Sequence, residues 1–566
     1  MKNKLIERIR STASLLSNRI FTMTLIYTLC FIAAKSQSPI DSFKSKVPKY
    51  VFSNVLEEQM EQLKTNPLLL RMKQVRKSMK DDPYRPIYHY VNPEGNLNDP
   101  NGLCFWNGNW HLFYQAYPPE DPRQHWGHAI SKDLIHWKDL PYAIYPDPER
   151  AVFSGTTLVE ANRVIAMYHG TMAGNMVAIS NDPLLLNWNK IVNRAVIPMT
   201  STTGFPLPYF VFDPSIWKTD SIYYSLSAGR DSVGPGRQPI RTNYLFRSKD
   251  LVNWEYKGDQ FIQGDRFTMI GDDGACPYFI PIGNKYILPF FSHMSGGQYL
   301  LGDYDKVHEK FNVINHGKFN FGSATPSGVH APSAASDGDG GVYILFNMNP
   351  GKPTKNWNQI MTLPRLLRID QENHLSIEPV SAIESLRTNH QHVDAMTLPA
   401  NKEIVLPNIK GNAVEISAKI DVKNSTMFEI NVLRSPNKEE YTRISFYKEK
   451  GFHQGRPYET PRPANFKFIR KSLVSIESSY SSILPDVLLR APETASLAFD
   501  EGEVLDLRIF IDKSVVEVFV NGKQCLAVRV YPGKKNSTGV SLRAQGSEAV
   551  LKSLDCWQMK SIYDED

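Results

Sequence analysis

A short motif recurs three times in the first half of the chain, and it limits the folds that the sequence can adopt. Residues 131–137 (SKDLIHW) and 248–254 (SKDLVNW) are nearly identical, and residues 180–188 (SNDPLLLNW) are a looser copy. The tryptophans that end the three copies lie 51 and 66 residues apart. Units of this length, each with a few strands and a turn, are typical of a β-propeller. The Ser, Asp and Trp of the motif therefore indicate a turn and an aromatic side chain between blades, with no catalytic role.

Short strands follow one another through this part of the chain. Apolar and polar residues alternate in segments such as 283–288 and 341–346, and Gly, Pro, Asn and Asp separate the segments. About five units of the repeat length fit in this region. We predict an all-β protein in which residues 84–385 form a five-bladed β-propeller.

The last third of the chain has a different pattern, with longer alternating strands. Residues 507–512 and 515–520 are examples, and Asn521 and Gly522 supply a tight turn. This spacing predicts that the propeller is followed by a C-terminal β-sandwich over residues 390–566. A chain of 566 residues is also too long for one ordinary core.

The N-terminus has the pattern of a targeting segment. Residues 1–36 hold six Lys or Arg and one Glu around an uncharged apolar run at 20–34. The run is short for a membrane span, so we predict a signal peptide, with an N-terminal anchor as the alternative. The expected location is secreted or cell-envelope (periplasmic), with membrane contact only if the segment is uncleaved. Without residues 1–36 the formal charge falls from +6 to +1, which argues against nucleic acid as a partner.

Residues 37–83 are predicted to be a helical extension. Leu56, Met60 and Leu63 have helical spacing, and the pair Asn66 and Pro67 breaks the pattern before a second segment. The second segment also carries several basic residues. We predict an amphipathic helical pair that packs on the propeller, and the alternative is a basic surface that contacts a partner.

The cysteines predict neither a metal centre nor a disulfide scaffold. Cys30 lies in the N-terminal segment, and the other four cysteines are far apart in the sequence. We find no close-spaced Cys/His cluster, so no metal and no cofactor is expected. The one candidate disulfide joins Cys525 and Cys556.

Residues 98–102 (NDPNG) hold the carboxylate with the most potential for chemistry. Asn, Asp, Pro and Gly are ordinary turn residues, so these five positions alone predict an Asx-type turn. Asp99 would then be fixed at the end of a short strand, with hydrogen-bonding neighbours.

The chain resembles glycoside hydrolase family 32, the group of invertases, inulinases and levanases. The matching segments follow one another in the family's order over some 430 residues. They are residues 98–102, 111–115 (HLFYQ), 126–129 (WGHA), 153–156 (FSGT), Asp213-Pro214, Cys276-Pro277, 302–305 (GDYD), Trp357 with 361–365 (MTLPR), and 512–519 (DKSVVEVF).

This resemblance implies a retaining β-fructofuranosidase that acts on sucrose or fructans without a cofactor. Asp99 would be the nucleophile, and Asp213 would bind fructose hydroxyls and stabilise the transition state. The implied sugar pocket is formed by Asn98, Gln115, Trp126, Phe153 and Ser154. Retention fits the chemistry of two carboxyl groups on opposite sides of the anomeric carbon.

The chain departs from the family where the proton donor belongs. The family's acid/base Glu is replaced by Ala275, its Arg before the Asp-Pro pair by Phe212, and its Trp before the nucleophile motif by Asn96. We expect Asp273 or Asp272 to serve as the acid, and Asp273 is preferred because it is nearer to residue 275. Adjacent carboxylates would raise the pKa of one of them.

Two alternatives remain open from the sequence. One is a catalytically silent carbohydrate-binding relative, and the other is a furanosidase with a different sugar specificity. No nucleophile elbow or phosphate-binding loop indicates another enzyme class. His128 and His330 are expected to pack or to donate hydrogen bonds to sugar. The sequence predicts no oligomeric state.

Overall fold

The computed structural model describes residues 43–201, 205–231, 234–238, 240–265, 267–451, 453–454 and 469–563. The predicted signal segment, residues 1–36, lies outside this range. Two helices precede the sheets, α1 (Leu56–Thr65) and α2 (Pro67–Ser78). Asn66 separates them and caps α2, because its side chain accepts a hydrogen bond from the Leu69 amide at 3.1 Å. No helix in the described ranges is both long enough and apolar enough to cross a membrane.

Five small sheets follow one another along the described chain, and each forms one blade. Blade 1 contains β1 (Leu97–Trp106), β2 (Asn109–Ala116), β3 (His125–Ser131) and β4 (Lys138–Ile144); blade 2 contains β5 (Val152–Glu160), β6 (Arg163–Gly170), β7 (Gly174–Ser180), β8 (Asn189–Lys190) and β9 (Ile197–Pro198); blade 3 contains β10 (Pro214–Thr219), β11 (Ile222–Asp231), β12 (Ile240–Ser248) and β13 (Glu255–Gly258); blade 4 contains β14 (Ile262–Gln263), β15 (Ile280–Ile282), β16 (Lys285–Ser292), β17 (Gly296–Asp305) and β18 (Lys310–Lys318); blade 5 contains β19 (Val329–Ser336), β20 (Val342–Met348), β21 (Ile360–Met361), β22 (Arg365–Ile369) and β23 (Leu375–Pro379). Short 3-10 helices lie at Pro235–Arg237 and Ser381–Leu386.

The inner strands of the blades close a ring. β1 contacts both β5 and β19, β5 contacts β10, and β16 contacts β19. Blades 3 and 4 meet where the Phe279 amide donates to Ser215 Oγ at 3.1 Å and the Phe279 ring lies 4.9 Å from that of Trp217. The predicted five-bladed β-propeller is therefore confirmed.

The repeated motif is the connection from the third to the fourth strand in blades 1, 2 and 3. In blade 1, Ser131 Oγ donates to Asp133 Oδ1, which also accepts from the Ile135 and His136 amides at 3.0 and 2.9 Å. Trp137 then packs in the core. The motif thus forms a turn that is held by hydrogen bonds to its own Asp side chain, and its Trp fills the adjacent core.

Two larger sheets form the C-terminal β-sandwich. One sheet has the order β24 (Arg387–Val393), β38 (Ala549–Met559), β27 (Ala413–Asp421), β34 (Leu505–Asp512), β35 (Val515–Val520) and β36 (Gln524–Arg529), with β25 (Met396–Leu398) also on β38; the other has the order β26 (Glu403–Lys410), β37 (Gly539–Gln545), β28 (Met427–Arg434), β29 (Thr442–Tyr447), β32 (Ser472–Glu477) and β33 (Glu493–Leu497); β30 (His453–Gln454) and β31 (Ile469–Arg470) form a separate pair. Their facing apolar side chains make a continuous core. The four cysteines in the described ranges are free, so the disulfide predicted between Cys525 and Cys556 is wrong.

A buried charged cluster joins the propeller to the sandwich. Arg365 Nη2 lies 2.9 Å from Glu517 Oε2, and His89 lies between Glu517 and Asp512, at 3.1 and 2.9 Å. All four side chains are fully buried. Asp512 also accepts hydrogen bonds from the amides of Ile87 and Tyr88, so the 512–519 segment fixes the chain that leads into β1.

Candidate active site

Each of the five blades contributes one side chain to a common site at the propeller axis. Asp99 comes from β1, Ser154 from β5, and Asp213 directly precedes β10. Cys276 lies before β15, and His330 is on β19. The five residues span 231 positions of the sequence, from Asp99 to His330, but Asp99 lies within 3.6 Å of Cys276 Sγ and of His330 Nδ1. The fold therefore concentrates polar groups at one point.

Asp99 lies inside β1 rather than in a turn that ends a strand. The pairing of β1 with β2 shifts register between Leu97 and Pro100 and again between Asn101 and Cys104. Pro100 has no amide hydrogen to donate, and such bulges redirect neighbouring side chains. The Asx-turn prediction is thus corrected to a bulged strand.

The two carboxylate oxygens of Asp99 have different surroundings. Oδ2 accepts hydrogen bonds from Ser154 Oγ at 2.7 Å and from Gln115 Nε2 at 3.2 Å. Oδ1 has no hydrogen-bond partner among the described residues, and His330 Nδ1 lies 3.6 Å from it. Burial raises the pKa of Asp99, but His330, Ser154 and the charge of His293 outweigh burial and leave this pKa below its ordinary value. The site therefore holds an ionised carboxylate with one oxygen available.

Asp213 is a second buried carboxyl group with the opposite tendency. Burial and the charge of Asp99 raise the pKa of Asp213 to about 6. Its Oδ2 accepts from the Cys276 amide at 3.2 Å and lies 3.4 Å from Cys276 Sγ. Cys276 has a φ of +48°, an uncommon conformation for a residue with a side chain. Burial raises the pKa of the Cys276 thiol well above its usual range, so this sulfur is a neutral spacer between two carboxyl groups.

A network of amides holds Asn98 beside the nucleophile candidate. Asn98 Nδ2 donates to Gln115 Oε1 at 3.3 Å. Asn98 Oδ1 accepts from Asn347 Nδ2 at 3.2 Å and from Gln359 Nε2 at 3.0 Å. Asn347 lies on β20 and Gln359 in the loop before β21, so both are too far from Asn98 in the sequence to be predicted as its partners.

Trp126 and Phe153 belong to one structural unit. The indole Nε1 of Trp126 donates to the Phe153 carbonyl oxygen at 2.9 Å, and its ring stacks on Phe113. Trp126 is fully buried, whereas Phe153 is partly exposed. Trp126 therefore contacts the site through the backbone that carries Phe153 and Ser154.

The position of the missing family Glu is apolar in this chain. Ala275 is fully buried and packs with Cys276, Phe291 and Ala331. Phe212, which replaces the family's Arg, packs against the same cluster. Two of the three departures seen in the sequence, Ala275 and Phe212, are therefore neighbours in the structure.

The carboxylates of Asp272 and Asp273 are both occupied. Asp272 accepts from Ser295 Oγ at 2.7 Å and from the Met269 amide at 2.8 Å. Asp273 accepts from the amide of His293 at 3.1 Å and lies 2.6 Å from His293 Nδ1. Both carboxylates are therefore engaged in hydrogen bonds within the protein, and the solvent-exposed partner of Asp273 is His293.

Tyr278 is a site residue that the sequence did not indicate. Its hydroxyl accepts from the Gly102 amide at 3.0 Å and lies 3.1 Å from the Gly155 carbonyl oxygen. It also lies 3.0 Å from Ser333 Oγ. The hydroxyl thus connects residues of blades 1, 2 and 5, and these contacts exist only once the ring of blades has closed.

Comparisons with known proteins agree with this architecture. The levanase of Bacillus subtilis (strain 168) is 27% identical over 529 residues, which cover 86% of this chain and 72% of the levanase. The fructan 6-exohydrolase of Beta vulgaris is 26% identical, with 85% of this chain and 87% of that protein covered.

The crystal structure of fructan 1-exohydrolase IIa from Cichorium intybus has the same fold, with a TM-score of 0.72 at 20% identity and coverage of 85% of this chain and 98% of the other. Residues 89–379 match the glycosyl hydrolases family 32 N-terminal domain, and residues 382–558 match the glycosyl hydrolases family 32 C-terminal domain. The chain therefore belongs to glycoside hydrolase family 32.

Proposed function

We propose that the protein hydrolyses β-fructofuranosidic bonds, in sucrose or in fructans, by a retaining double displacement in which Asp99 is the nucleophile. The observation that carries this proposal is the buried, ionised Asp99 with one free oxygen at the centre of the ring. A retaining mechanism needs such a carboxylate to attack the anomeric carbon. Ser154 and Gln115 bind the other oxygen and so fix the direction of attack.

Asp213 is proposed to bind fructose hydroxyls and to stabilise the oxocarbenium-like transition state. Its pKa of about 6 and its short path to Asp99 through Cys276 suit a group that shares a proton with a sugar hydroxyl. Asn98, Gln115, Phe153 and Ser154 are proposed to contact the fructose ring, and Trp126 to support Phe153 from behind.

The experiment is a substrate panel with product analysis. Purified protein is incubated with sucrose, inulin, levan and aryl α-L-arabinofuranosides, and the released sugars are separated. We expect fructose from at least one β-fructoside and no arabinose. Proton NMR at early times should show that the fructose is released with the configuration of the bond that was cleaved.

Trapping of the intermediate tests the nucleophile directly. Intact-mass spectrometry after rapid quenching should find the chain heavier by one fructosyl residue, and peptide mapping should place it on Asp99. Tight binding of fructan with no turnover of any substrate would contradict the proposal. Export, predicted from residues 1–36, is a separate proposal, and N-terminal sequencing of the mature protein tests it.

A further inference from the structure

Ala275 cannot donate a proton, so another residue must supply the proton donor. The inference about that residue rests on the proposed function. Ala275 and Phe291 exchange two backbone hydrogen bonds, of 2.8 and 2.9 Å. Two residues further out on these segments lie Asp273 and His293. The chain turns at Gly274, which has a φ of +61°, and His293 begins the turn that follows β16. The contact of 2.6 Å between Asp273 Oδ2 and His293 Nδ1 places His293 beside the segment on which the family carries its acid.

Ring contacts connect His293 to the nucleophile. The His293 ring lies 4.8 Å from Phe291 and 5.8 Å from His330, measured between ring centres. His330 Nδ1 in turn lies 3.6 Å from Asp99 Oδ1. The side chain of His293 is 68% exposed, whereas that of Asp273 is only 10% exposed. His293 thus stands at the solvent side of the site.

We infer that His293 is the general acid and base of this enzyme, and that Asp273 is the residue that positions it. Asp273 Oδ2 lies 2.6 Å from His293 Nδ1, so the proton on Nδ1 is held and Nε2 is left to exchange its proton. The pattern of an imidazole oriented by a carboxylate is common in acid–base catalysis.

The proton balance of the two steps is complete. In the first, Asp99 Oδ1 bonds to the anomeric carbon, the bond to the leaving oxygen breaks, and His293 Nε2 gives its proton to that oxygen. In the second, water attacks the anomeric carbon, neutral His293 takes the proton of the water, and the bond to Asp99 breaks. Free fructose is released, and the imidazolium and the carboxylate are restored.

The charges around His293 favour its acid form. The bond to Asp273 raises the pKa of His293, and the charges of Asp99 and Asp213 raise this pKa further, against the effect of burial. His330 also faces the His293 ring, and its Nδ1 lies 3.6 Å from Asp99 Oδ1. The acid form is needed in the first step, so activity should fall as the pH rises through the pKa of His293. In Asp273→Asn this fall should occur at lower pH.

The test separates substrates by their leaving groups. For His293→Gln we expect kcat/KM on sucrose to fall about 10²–10⁴-fold, since that is the usual contribution of general acid catalysis. An aryl β-D-fructofuranoside needs little protonation, so its loss should be far smaller, and added azide should yield fructosyl azide. His308→Gln is the matched control. His308 also has an Asp partner at 2.6 Å and is 74% exposed, but that partner is Asp305, the last residue of β17.

Three results would overturn this inference. The first is an equal loss on both substrates in His293→Gln, the second is unchanged sucrose hydrolysis in that variant, and the third is a leaving-group-dependent loss in Asp213→Asn instead. If the wild type cleaves no β-fructoside at all, the proposed function fails as well. An active wild type without the leaving-group effect refutes the role of His293 alone.

A second, independent observation lies on the sandwich, at the edge formed by β24 and β38. His392 pairs directly with Asp555 across these strands, and His390 lies two residues before it. His390 Nε2 and His392 Nδ1 lie 2.8 and 2.7 Å from the same oxygen, Asp555 Oδ1. One donor atom from each of the three residues lies within 4.8 Å of the others.

We propose that His390, His392 and Asp555 bind a divalent transition-metal ion such as Zn²⁺. Two imidazoles and a carboxylate leave one position open in a tetrahedral site. The supporting contacts are those of a metal site. Asp394 Oδ1 lies 3.4 Å from the second nitrogen of His392, and the His390 ring stacks on Trp557 at 5.0 Å. This proposal differs from the prediction of no metal, which did not take into account that His390 and His392 are only two residues apart.

Calorimetric titration with Zn²⁺ tests the site. The full-length protein, stripped with a chelator, should bind one Zn²⁺ that is lost in His392→Gln and weakened roughly tenfold in Asp394→Asn. His374→Gln is the control. His374 is an exposed histidine beside carboxylates, but among the described residues it belongs to no group of three potential metal ligands. Co²⁺ should give the intense visible bands of a four-coordinate site. Absence of binding, or binding unchanged in His390→Gln and His392→Gln, would refute the proposal.

Discussion

The two sides of the axial site treat charge in opposite ways. On one side, Asp99 is buried but receives hydrogen bonds from Ser154 and Gln115 and lies near His330. On the other side, Ala275 and Phe212 occupy positions at which the family carries a Glu and an Arg, and they pack in an apolar cluster. Both residues are uncharged, so this apolar cluster contains no buried charge without a partner.

The comparison also shows how the proposed acid could move. A nucleophile must sit at the anomeric carbon and has little freedom of place. A proton donor needs only to reach the leaving oxygen, and His293, two residues beyond Phe291 on the segment paired with Ala275, is proposed to meet that need. The apolar side therefore lacks the family's Glu, but it has a titratable pair, His293 and Asp273, at its solvent-exposed edge.

Replacing Asp99 should have the largest effect of all. Asp99→Asn removes the nucleophile, and we expect kcat/KM to fall by at least about 10⁴-fold on sucrose and on an aryl fructoside alike. The equal loss on both substrates is the feature that distinguishes this side of the site from the His293 side. Steady-state kinetics with both substrates measure it.

Asp303→Asn is the matched control for this experiment. Asp303 is half exposed and pairs with Lys285 on the surface of blade 4, so its removal should change kcat/KM less than twofold. Residual activity of Asp99→Asn above one per cent on either substrate would mean that another group attacks the anomeric carbon.

The buried ion pair of Arg365 and Glu517 shows what a buried charge costs when its partner is removed. Glu517→Gln leaves Arg365 without its charged partner, and we expect a loss of about 3–5 kcal/mol, as for other broken buried pairs. Calorimetry should show a lower apparent Tm, while kcat/KM of the folded fraction stays within twofold because Glu517 is remote from the axis. An unchanged Tm would mean that water reaches Arg365.

Restoring the family residue should fail in this chain. In Ala275→Glu the new side chain meets Phe291 and Ala331, and overpacking of this kind costs about 1–3 kcal/mol before the carboxylate is desolvated. We expect a lower Tm and no gain on sucrose, measured beside the double variant Ala275→Glu/Phe212→Arg. A single variant that folds normally and cleaves sucrose faster would show that the apolar side simply lacks an acid, against the role given to His293.

Much of this architecture could be predicted from the sequence, because its signals are local. The motif at residues 131–137 and its copies fold as self-bonded turns, and alternating strands specify blades and sandwich. Asp99 and Asp213 could be named because each lies in a short segment typical of the family. Their environment could not be predicted in the same way, because the bulges around Pro100 take the place of the expected Asx turn.

The remaining features depend on distant residues and could not be predicted. Nothing in the sequence places His293 beside Asp273, because a loop and two strands separate them. Tyr278 binds Gly102 only after the ring has closed. The metal-site candidate likewise needs β38 to bring Asp555 to the histidines of β24, more than 160 positions earlier.

The smallest expected effect concerns the fine adjustment of the polar side. Ser154→Ala removes the 2.7 Å hydrogen bond to Asp99 Oδ2 but leaves Gln115 in place. A bond to a charged group contributes about 1.5–3 kcal/mol, and partial replacement by Gln115 should limit the loss in kcat to about tenfold.

Asp99 acts as the carboxylate, so activity is lost as the pH falls through the pKa of Asp99. Removal of a bond that lowers this pKa should therefore shift the acid limb of kcat/KM to higher pH. Thr156 lies two residues after Ser154 on β5, and its hydroxyl accepts a hydrogen bond from the Ile216 amide. Thr156→Ser keeps that hydroxyl and should leave the acid limb in place, and pH profiles of both variants measure the difference. A shift of the alkaline limb instead would assign Ser154 to the proton donor and would break the division of the site into two sides.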